Sequence, residues 1–130
     1  MNFVNLDLMD AQGGITVLSV QFSSELPWIL RVSGRELQEE EFTGRDLFQA
    51  MIALRRELDA SGKKLLCAGA RRDVFPSGMA RSMGSARKAY VMKLGEPATI
   101  LVDIFEPAHA DQIATVDEQQ RFREQWIVSL

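Results

Sequence analysis

The sequence predicts an α+β protein in which a mostly antiparallel sheet carries two main helices. Short β-branched and aromatic runs, separated by glycine and proline turns, predict the strands. Two segments with apolar residues at helical spacing predict the helices. A length of 130 residues suits one core, so we expect a single domain over residues 1–130. A mixed sheet remains an alternative, because a strand–helix–strand crossover would place two parallel strands in the sheet.

Three strands are expected before the first helix. Residues 15–22 are rich in β-branched residues and follow a glycine pair, and residues 28–32 follow a proline. A third strand, residues 36–42, contains four glutamates and only Leu37 and Phe42 as apolar residues. We interpret it as an exposed edge strand, because charges on an edge discourage pairing with another chain.

The first helix is expected over residues 44–60, where large apolar residues recur every three or four positions. Thr43 followed by Asp46 resembles a capping box, with aspartate in place of the usual glutamate. The charged residues of this segment, Arg55 among them, are expected on the solvent side. A Ser-Gly pair then ends the helix.

The remaining elements alternate between short apolar runs and turns. Residues 64–68 predict a buried strand, and residues 69–86 predict a long loop with room for one helical turn. Residues 88–94 and 98–105 are joined by a Gly-Glu-Pro turn, which indicates a hairpin, although the first arm also fits a helix. Residues 116–129 predict the second helix, preceded by a Thr-x-x-Glu capping box.

Charge is unevenly distributed along the chain. The net charge of −3 combines −5 over residues 1–62, +7 over residues 63–93 and −5 over residues 94–130. The acidic total argues against a protein that coats nucleic acid. Only Phe75 and Tyr90 accompany the basic segment, whereas single-strand recognition uses several stacking aromatic residues. The asymmetry indicates either segments that cancel on folding or a cationic surface for an anionic partner.

Residues 69–88 are the strongest candidate site, because ordinary loops are much shorter. Their arginines, small hydroxyls and glycines suit anion capture, although they match neither a Walker A loop nor a GxGxxG element. The structural alternative is that Val74, Phe75 and Met79 hold the segment to the core. The partner- or anion-binding surface is expected to comprise Arg71, Arg72, Asp73, Ser77, Arg81, Ser82 and Arg87.

Two further interpretations concern carboxylates. Asp73 follows two arginines, an arrangement that is most often an internal ion pair. Glu39, Glu40 and Glu41 form a competing acidic contact face, which would mimic nucleic acid to a basic partner. Both candidate surfaces imply binding and not chemistry.

The sequence contains no recognisable catalytic or metal-binding set. Cys67 lies among apolar residues, so a buried inert thiol is expected. His109, the only histidine, is expected in an exposed connection. Asp103, Glu106 and Asp111 lack the spacing of a calcium or magnesium loop. We therefore expect no catalytic residues, no metal and no cofactor.

The N-terminus and the apolar runs give an expectation for the cellular location of the protein. Asp7 and Asp10 interrupt the start of the chain, and no lysine or arginine precedes residue 31, so a signal peptide is not expected. No apolar run approaches the roughly 20 residues that a spanning helix needs. A single cysteine forms no internal disulfide. We expect a cytoplasmic protein with no membrane partner.

Several runs in the C-terminal half resemble a known group of proteins. These are LCAGARRDVFPSGM at residues 66–79, MGSARKAY at residues 83–90 and TVDEQ at residues 115–119. They are similar to small uncharacterised bacterial proteins that are associated with immunity proteins of toxin systems, including contact-dependent inhibition. The resemblance assigns no role to individual residues. It implies a cytoplasmic protein that blocks a partner toxin by covering its active site.

Two functional hypotheses follow. The first is a non-enzymatic cytosolic binding protein, an immunity-type inhibitor that contacts a protein partner such as a cognate toxin. The second is a small-molecule or phosphate-ligand module, or a small enzyme, that uses the loop at residues 69–88. A homo-oligomer is compatible with either hypothesis, and the charge balance argues against nucleic acid as the partner.

Overall fold

Antiparallel strands and three helices make up the described part of the chain. The computed structural model describes residues 1–34 and 38–130. The strands and helices of that part confirm the predicted α+β class. All of its strand pairs are antiparallel, so the mixed-sheet alternative is wrong. The strands are β1 (Asn2–Met9), β2 (Ile15–Phe22), β3 (Trp28–Gly34), β4 (Glu40–Gly44), β5 (Lys64–Leu65), β6 (Val74–Phe75), β7 (Lys88–Lys93) and β8 (Glu96–Asp103). The helices are α1 (Leu47–Ala60), α2 (Gly78–Met83) and α3 (Val116–Ser129).

The larger sheet contains five strands in the order β4-β3-β2-β1-β5. The strands predicted at 15–22 and 28–32 are observed as β2 and β3. No strand is predicted over β1, although Val4, Leu6 and Leu8 alternate with polar residues and point toward the core. This alternation is the signal that predicts a half-buried strand.

The expected edge strand is confirmed with shifted limits. β4 pairs with β3 alone among the described strands and begins at Glu40, later than predicted. The start of that prediction, at residues 36–37, lies outside the described residues. α1 connects β4 at one edge to β5 at the other and packs on the face of the sheet that carries the core.

The predicted cap of α1 is wrong. Thr43 lies within β4, opposite Ile29, and does not cap the helix. Asp46 is the N-cap residue, and its carboxylate accepts a 2.7 Å hydrogen bond from the Gln49 backbone N–H. The helix therefore begins at Leu47.

The smaller sheet has three strands in the order β6-β7-β8, which differs from the single sheet expected. β7 and β8 form the predicted hairpin, so residues 88–93 are a strand and not a helix. Phe22 of the larger sheet and Phe105, just after β8, stack with ring centroids 4.5 Å apart. One cluster of buried apolar residues extends through both sheets.

The segment between α1 and β7 is more ordered than predicted. Residues 64–68 form a strand only at Lys64–Leu65, followed by a 3-10 turn at Ala68–Ala70. The expected long loop contains β6 and the helical turn α2. Its backbone is bonded on several sides: the Arg72 N–H donates to the Gln112 carbonyl, and the Met92 N–H donates to the Asp73 carbonyl.

The second predicted helix is confirmed as α3. Thr115 caps it, and the Glu118 carboxylate accepts a 2.9 Å hydrogen bond from the Thr115 N–H, which completes the capping box. The Trp126 indole N–H donates to the Glu96 carbonyl at 2.9 Å, so the end of α3 lies against the start of β8. Within residues 1–34 and 38–130, no helix has the length and apolar character needed to cross a membrane.

Candidate functional site

A buried arginine on α1 positions the elements around the predicted site. Arg55 is 2% exposed, which corrects the expectation that it faces solvent. Its guanidinium donates to the Gln119 amide oxygen at 2.7 Å, to the Ala114 carbonyl at 3.0 Å and to the Gly69 carbonyl at 3.2 Å. Burial lowers the pKa of Arg55 because the charged form loses its hydration. These bonds join α1 to the start of α3 and to the turn at 68–70.

Gln119 completes this buried network from the other side. Its amide nitrogen donates to the backbone carbonyls of Gly69, Arg71 and Val74 at 2.8–2.9 Å. A Cβ atom on Gly69 would lie 2.6 Å from the Met51 sulfur, so this glycine allows close packing and does not serve anion capture. The network fixes the first part of the 69–88 segment against α1 and α3.

Two of the predicted arginines are neutralised by nearby carboxylates. Arg71 forms a two-pronged pair with Asp73, with both N···O distances at 2.9 Å, as the internal ion-pair interpretation expected. Arg87 donates to Asp103 at 2.8 Å and lies 4.9 Å from the ring centroid of Phe22. Arg87 therefore stabilises the junction between the two sheets.

Three other predicted residues, Arg72, Ser77 and Ser82, make contacts within the protein. The Arg72 guanidinium carbon lies 5.4 Å from the ring centroid of Phe122 on α3. Ser77 is the N-cap of α2 and accepts from the Ala80 N–H at 3.0 Å. The Ser82 hydroxyl donates to the Met79 carbonyl at 3.3 Å. The Met79 side chain does not hold the segment to the core, because it is largely exposed.

Arg81 forms an ion pair and also lines a cleft. Its Nε donates to the buried carboxylate of Asp46 at 3.1 Å. Its guanidinium carbon lies 5.6 Å from the ring centroid of Phe48 and 5.8 Å from that of Phe75. The ion pair links α2 to the N-terminus of α1.

The cleft beside Arg81, here called the arginine cleft, has a volume of about 540 Å³. Three arginines from different parts of the chain line it: Arg45 before α1, Arg81 on α2 and Arg123 on α3. Arg123 lies 4.6 Å from the Phe75 ring centroid, on the ring that Arg81 also contacts. The cleft is lined by Arg45, Asp46, Phe75, Pro76, Gly78, Arg81, Ser82, Gln120 and Arg123.

An apolar groove of about 420 Å³ borders the arginine cleft and shares Phe75, Pro76, Gly78 and Arg123 with it. Its apolar lining comes from β7, the start of β8 and the end of α3. This lining includes Tyr90, Met92, Pro97, Ala98, Trp126, Ile127 and Leu130. A cationic cleft and an apolar groove therefore lie side by side on one part of the surface.

The acidic candidates do not form one face. Glu39 and Glu41 both pair with Arg31, at 3.4 Å and 3.0 Å. Glu40, the next residue along the strand from Glu41, lies near Glu57 of α1. Desolvation raises the pKa of Glu57, and the Glu40 carboxylate raises it further. Glu39 and Glu41 thus share Arg31 as a partner, whereas Glu40 lies near Glu57.

The remaining candidates for chemistry are separated. Cys67 is fully buried, and burial raises the pKa of its thiol to about 11, so the thiolate is scarce near neutral pH. His109 lies exposed before the 3-10 turn at 110–112. Asp103 accepts from Arg87, and Glu106 accepts from the Asp103 N–H. Among the described residues, no group of three or more histidine, cysteine or acidic side chains is placed to hold a metal ion.

Sequence reasoning missed four residues that build the site. Arg55 and Gln119 form the buried network, and Arg45 and Arg123 join Arg81 in the cleft. Arg45 and Arg123 lie outside the basic segment at 63–93, so the distribution of charge along the sequence does not single them out. Arg123 lies on the second predicted helix, but no pattern indicates that α2 and α3 line the same cleft.

Comparisons with protein-family models and with curated protein sequences find no match for this chain. The resemblance to immunity proteins therefore stays a prediction that rests on the quoted runs alone.

Proposed function

We propose that this protein is a non-enzymatic binding protein that acts by direct contact with a protein partner, and that the partner is a bacterial toxin which it neutralises. The observation that carries the proposal is the outer edge of β8, a strand whose outer side pairs with no described strand. The apolar groove beside it adds contact area.

Glu96, Pro97 and Asp103 lie at the two ends of β8, and its register with β7 shifts between Val91 and Lys93, but the middle of its edge is apolar. Residues 98–102 are uncharged, and Ile100 and Leu101 are 63% and 53% exposed. Proteins usually protect such edges with charges, prolines or bulges. An exposed apolar edge suits a partner that adds a strand, because main-chain hydrogen bonds supply affinity and alternate side chains supply specificity.

The register shows which backbone groups a partner strand would meet. The Ile104 N–H donates to the Arg87 carbonyl, in line with the pairing of Lys88 with Asp103. Hydrogen-bonded positions alternate along an antiparallel strand, so the backbone groups of Leu101, which lies in the regular part of the ladder, point away from β7. Leu101 therefore supplies an outward donor and acceptor.

The groove extends this surface toward α3. Leu101 lies opposite Tyr90 in the hairpin, and Tyr90 lines the groove together with Trp126 and Leu130. Apolar pockets beside a strand edge accept the anchoring side chains that dominate protein–protein affinity. The toxin as partner rests on the resemblance of residues 66–90 and 115–119 to immunity proteins.

The test is coexpression with the toxin domain encoded beside its gene. We expect a stoichiometric complex by size-exclusion chromatography and restored growth of toxin-expressing cells. Leu101→Lys should weaken the complex about tenfold or more, because it places a charge on an apolar contact. Val17→Lys is the matched control, since Val17 is 54% exposed on the outer face of the larger sheet.

Two results would contradict the proposal. One is a neighbouring toxin that neither binds the protein nor is neutralised by it, or a gene neighbourhood without a toxin. The other is equal weakening by Leu101→Lys and Val17→Lys, which would move the contact away from β8.

A further inference from the structure

We propose that the arginine cleft binds the phosphate group of a small phosphomonoester. This site is distinct from the edge of β8 but borders the apolar groove of the proposed toxin contact, with which it shares Phe75, Pro76, Gly78 and Arg123. The inference depends on the charge balance of the cleft, the way its arginines are held and its size.

The charge balance of the cleft fits a dianion. Arg45, Arg81 and Arg123 carry three positive charges, and Asp46 is the only carboxylate among the lining residues. Two positive charges therefore remain uncompensated within the lining. A phosphomonoester carries about −1.5 to −2 charges at pH 7, whereas a single carboxylate carries −1. A phosphate group matches this excess more closely than a carboxylate does.

The Asp46 carboxylate does not fill the space in the cleft that an anion would occupy. Its side chain is 1% exposed, one oxygen accepts from the Gln49 N–H and the other accepts from Nε of Arg81. In residues 1–34 and 38–130, this ion pair uses only Nε of Arg81, so the two terminal nitrogens remain for an anion. Within the same residues, no carboxylate forms an ion pair with Arg45 or Arg123.

Aromatic contacts hold two of the arginines in place before any ligand binds. The guanidinium carbons of Arg81 and Arg123 lie 5.8 Å and 4.6 Å from the ring centroid of Phe75, which is buried. Both guanidinium groups therefore contact the same ring. An anion in the cleft would compensate their like charges, and their fixed positions reduce the entropy lost on binding.

The size and lining of the cleft suit a small molecule. A volume of about 540 Å³ lies within the usual range for small-ligand sites. The Ser82 hydroxyl and the Gln120 amide add polar groups, while Phe75 and Pro76 offer an apolar surface to the organic part of the ligand. Arginine forks recognise phosphate oxygens through paired, charge-assisted hydrogen bonds.

The experiment measures the melting temperature of the protein in inorganic phosphate and in acetate of equal ionic strength at pH 7.5. We expect phosphate to raise the melting temperature in a concentration-dependent way and acetate to leave it unchanged, because only a ligand of the native state stabilises it. Arg123→Gln and Arg45→Gln should each weaken phosphate binding about tenfold or more. Arg121→Gln, on an exposed residue of the same helix that lines a different depression, should retain it.

Asp46→Asn should strengthen phosphate binding, in contrast to the two arginine variants. It removes the negative charge from the cleft lining and keeps a side chain that caps the helix. Equal stabilisation by phosphate and acetate, or full phosphate binding by Arg123→Gln, would overturn the proposal. If Arg45→Gln, at a residue that lines the cleft and not the groove, weakens the toxin complex and phosphate has no effect, the cleft holds an acidic side chain of the protein partner instead.

The outcome is independent of the proposed function. Leu101→Lys should keep phosphate binding, and Arg45→Gln, at a residue that lines the arginine cleft and not the apolar groove, should keep toxin binding, if both proposals hold. Loss of the phosphate effect alone leaves the contact at β8 intact. Loss of the toxin complex alone leaves the arginine cleft as a ligand site.

Discussion

The region around Arg55 and the region around Arg81 accommodate a guanidinium group in opposite ways. Arg55 is buried and bonded to three neutral oxygens, whereas Arg81 is paired with a carboxylate and lines an open cleft. The first arrangement withholds the charge from any ligand and joins three elements of the fold. The second leaves positive charge where a ligand can reach it. The surroundings of an arginine, and not its presence in a basic segment, therefore decide its role.

The largest expected effect concerns the buried region around Arg55. Arg55→Met should lower the free energy of unfolding by about 3 kcal/mol or more, because the Gln119 amide oxygen and the Ala114 carbonyl lose a buried donor. Urea unfolding measures the change. Arg56→Met is the control: its exposed pair with Asp117 spans 3.4 Å and contributes about 0.5 kcal/mol or less. Similar losses in the two variants would contradict the structural role of Arg55.

The second expected effect concerns Cys67, which lies next to Arg55 in the buried region. Burial raises the pKa of its thiol from 9.0 to about 11, so the unfolded chain loses this proton at lower pH than the folded chain. The stability that the buried thiol contributes is complete below pH 9 and is lost as pH rises toward 11, by about 2 kcal/mol.

Urea unfolding at several pH values between 8 and about 11 checks this, with Cys67→Ala as the reference that lacks the thiol. The difference in stability between the two proteins should shrink as the pH rises. A difference that stays constant would show that the thiol titrates at its ordinary pH in the folded state. The native thiol should also react slowly with thiol reagents at pH 8, since little thiolate forms.

The smallest expected effect tests the cleft itself. Arg81→Gln should lower the free energy of unfolding by about 1 kcal/mol, because the buried Asp46 carboxylate loses its charged partner. Arg123→Gln should change it by about 0.5 kcal/mol or less, since its contact with Phe75 is partly exposed. Urea unfolding of the two variants decides the matter. A larger loss for Arg123→Gln would mean that this arginine maintains the fold and is not held for a ligand.

Much of the fold was predictable because its signals are local. β2, the β7–β8 hairpin and α3 follow from period-2 runs, turn residues and a capping box, each contained within a few consecutive positions. β1 also carries a local signal, in the alternation of Val4, Leu6 and Leu8. The cap of α1 was misplaced, because Thr43 belongs to a sheet pairing with Ile29 that no local pattern reveals.

The candidate site was only partly predictable, because its members come from distant positions. The sequence selected Arg81 through the density of charge at 63–93, and the same criterion selected Arg71 and Arg87, which pair with Asp73 and Asp103. The pair of Arg71 with Asp73 follows from their separation of two positions, whereas the pairs of Arg87 with Asp103 and of Arg81 with Asp46 form only when the chain folds. A charge count along the sequence also does not show that Arg81, although paired, lines a cleft.

The sequence by itself determined the α+β class, the positions of most strands and helices, and the concentration of positive charge in one quarter of the chain. The tertiary structure alone decided that the fold has two sheets, that Arg55 is buried, and that Arg45 and Arg123 meet Arg81 in one cleft. The physical reason is that strands and helices are specified by local hydrogen bonds and by the spacing of apolar residues, which extend over only a few residues. The burial and neutralisation of a charge depend instead on which distant segments pack against it.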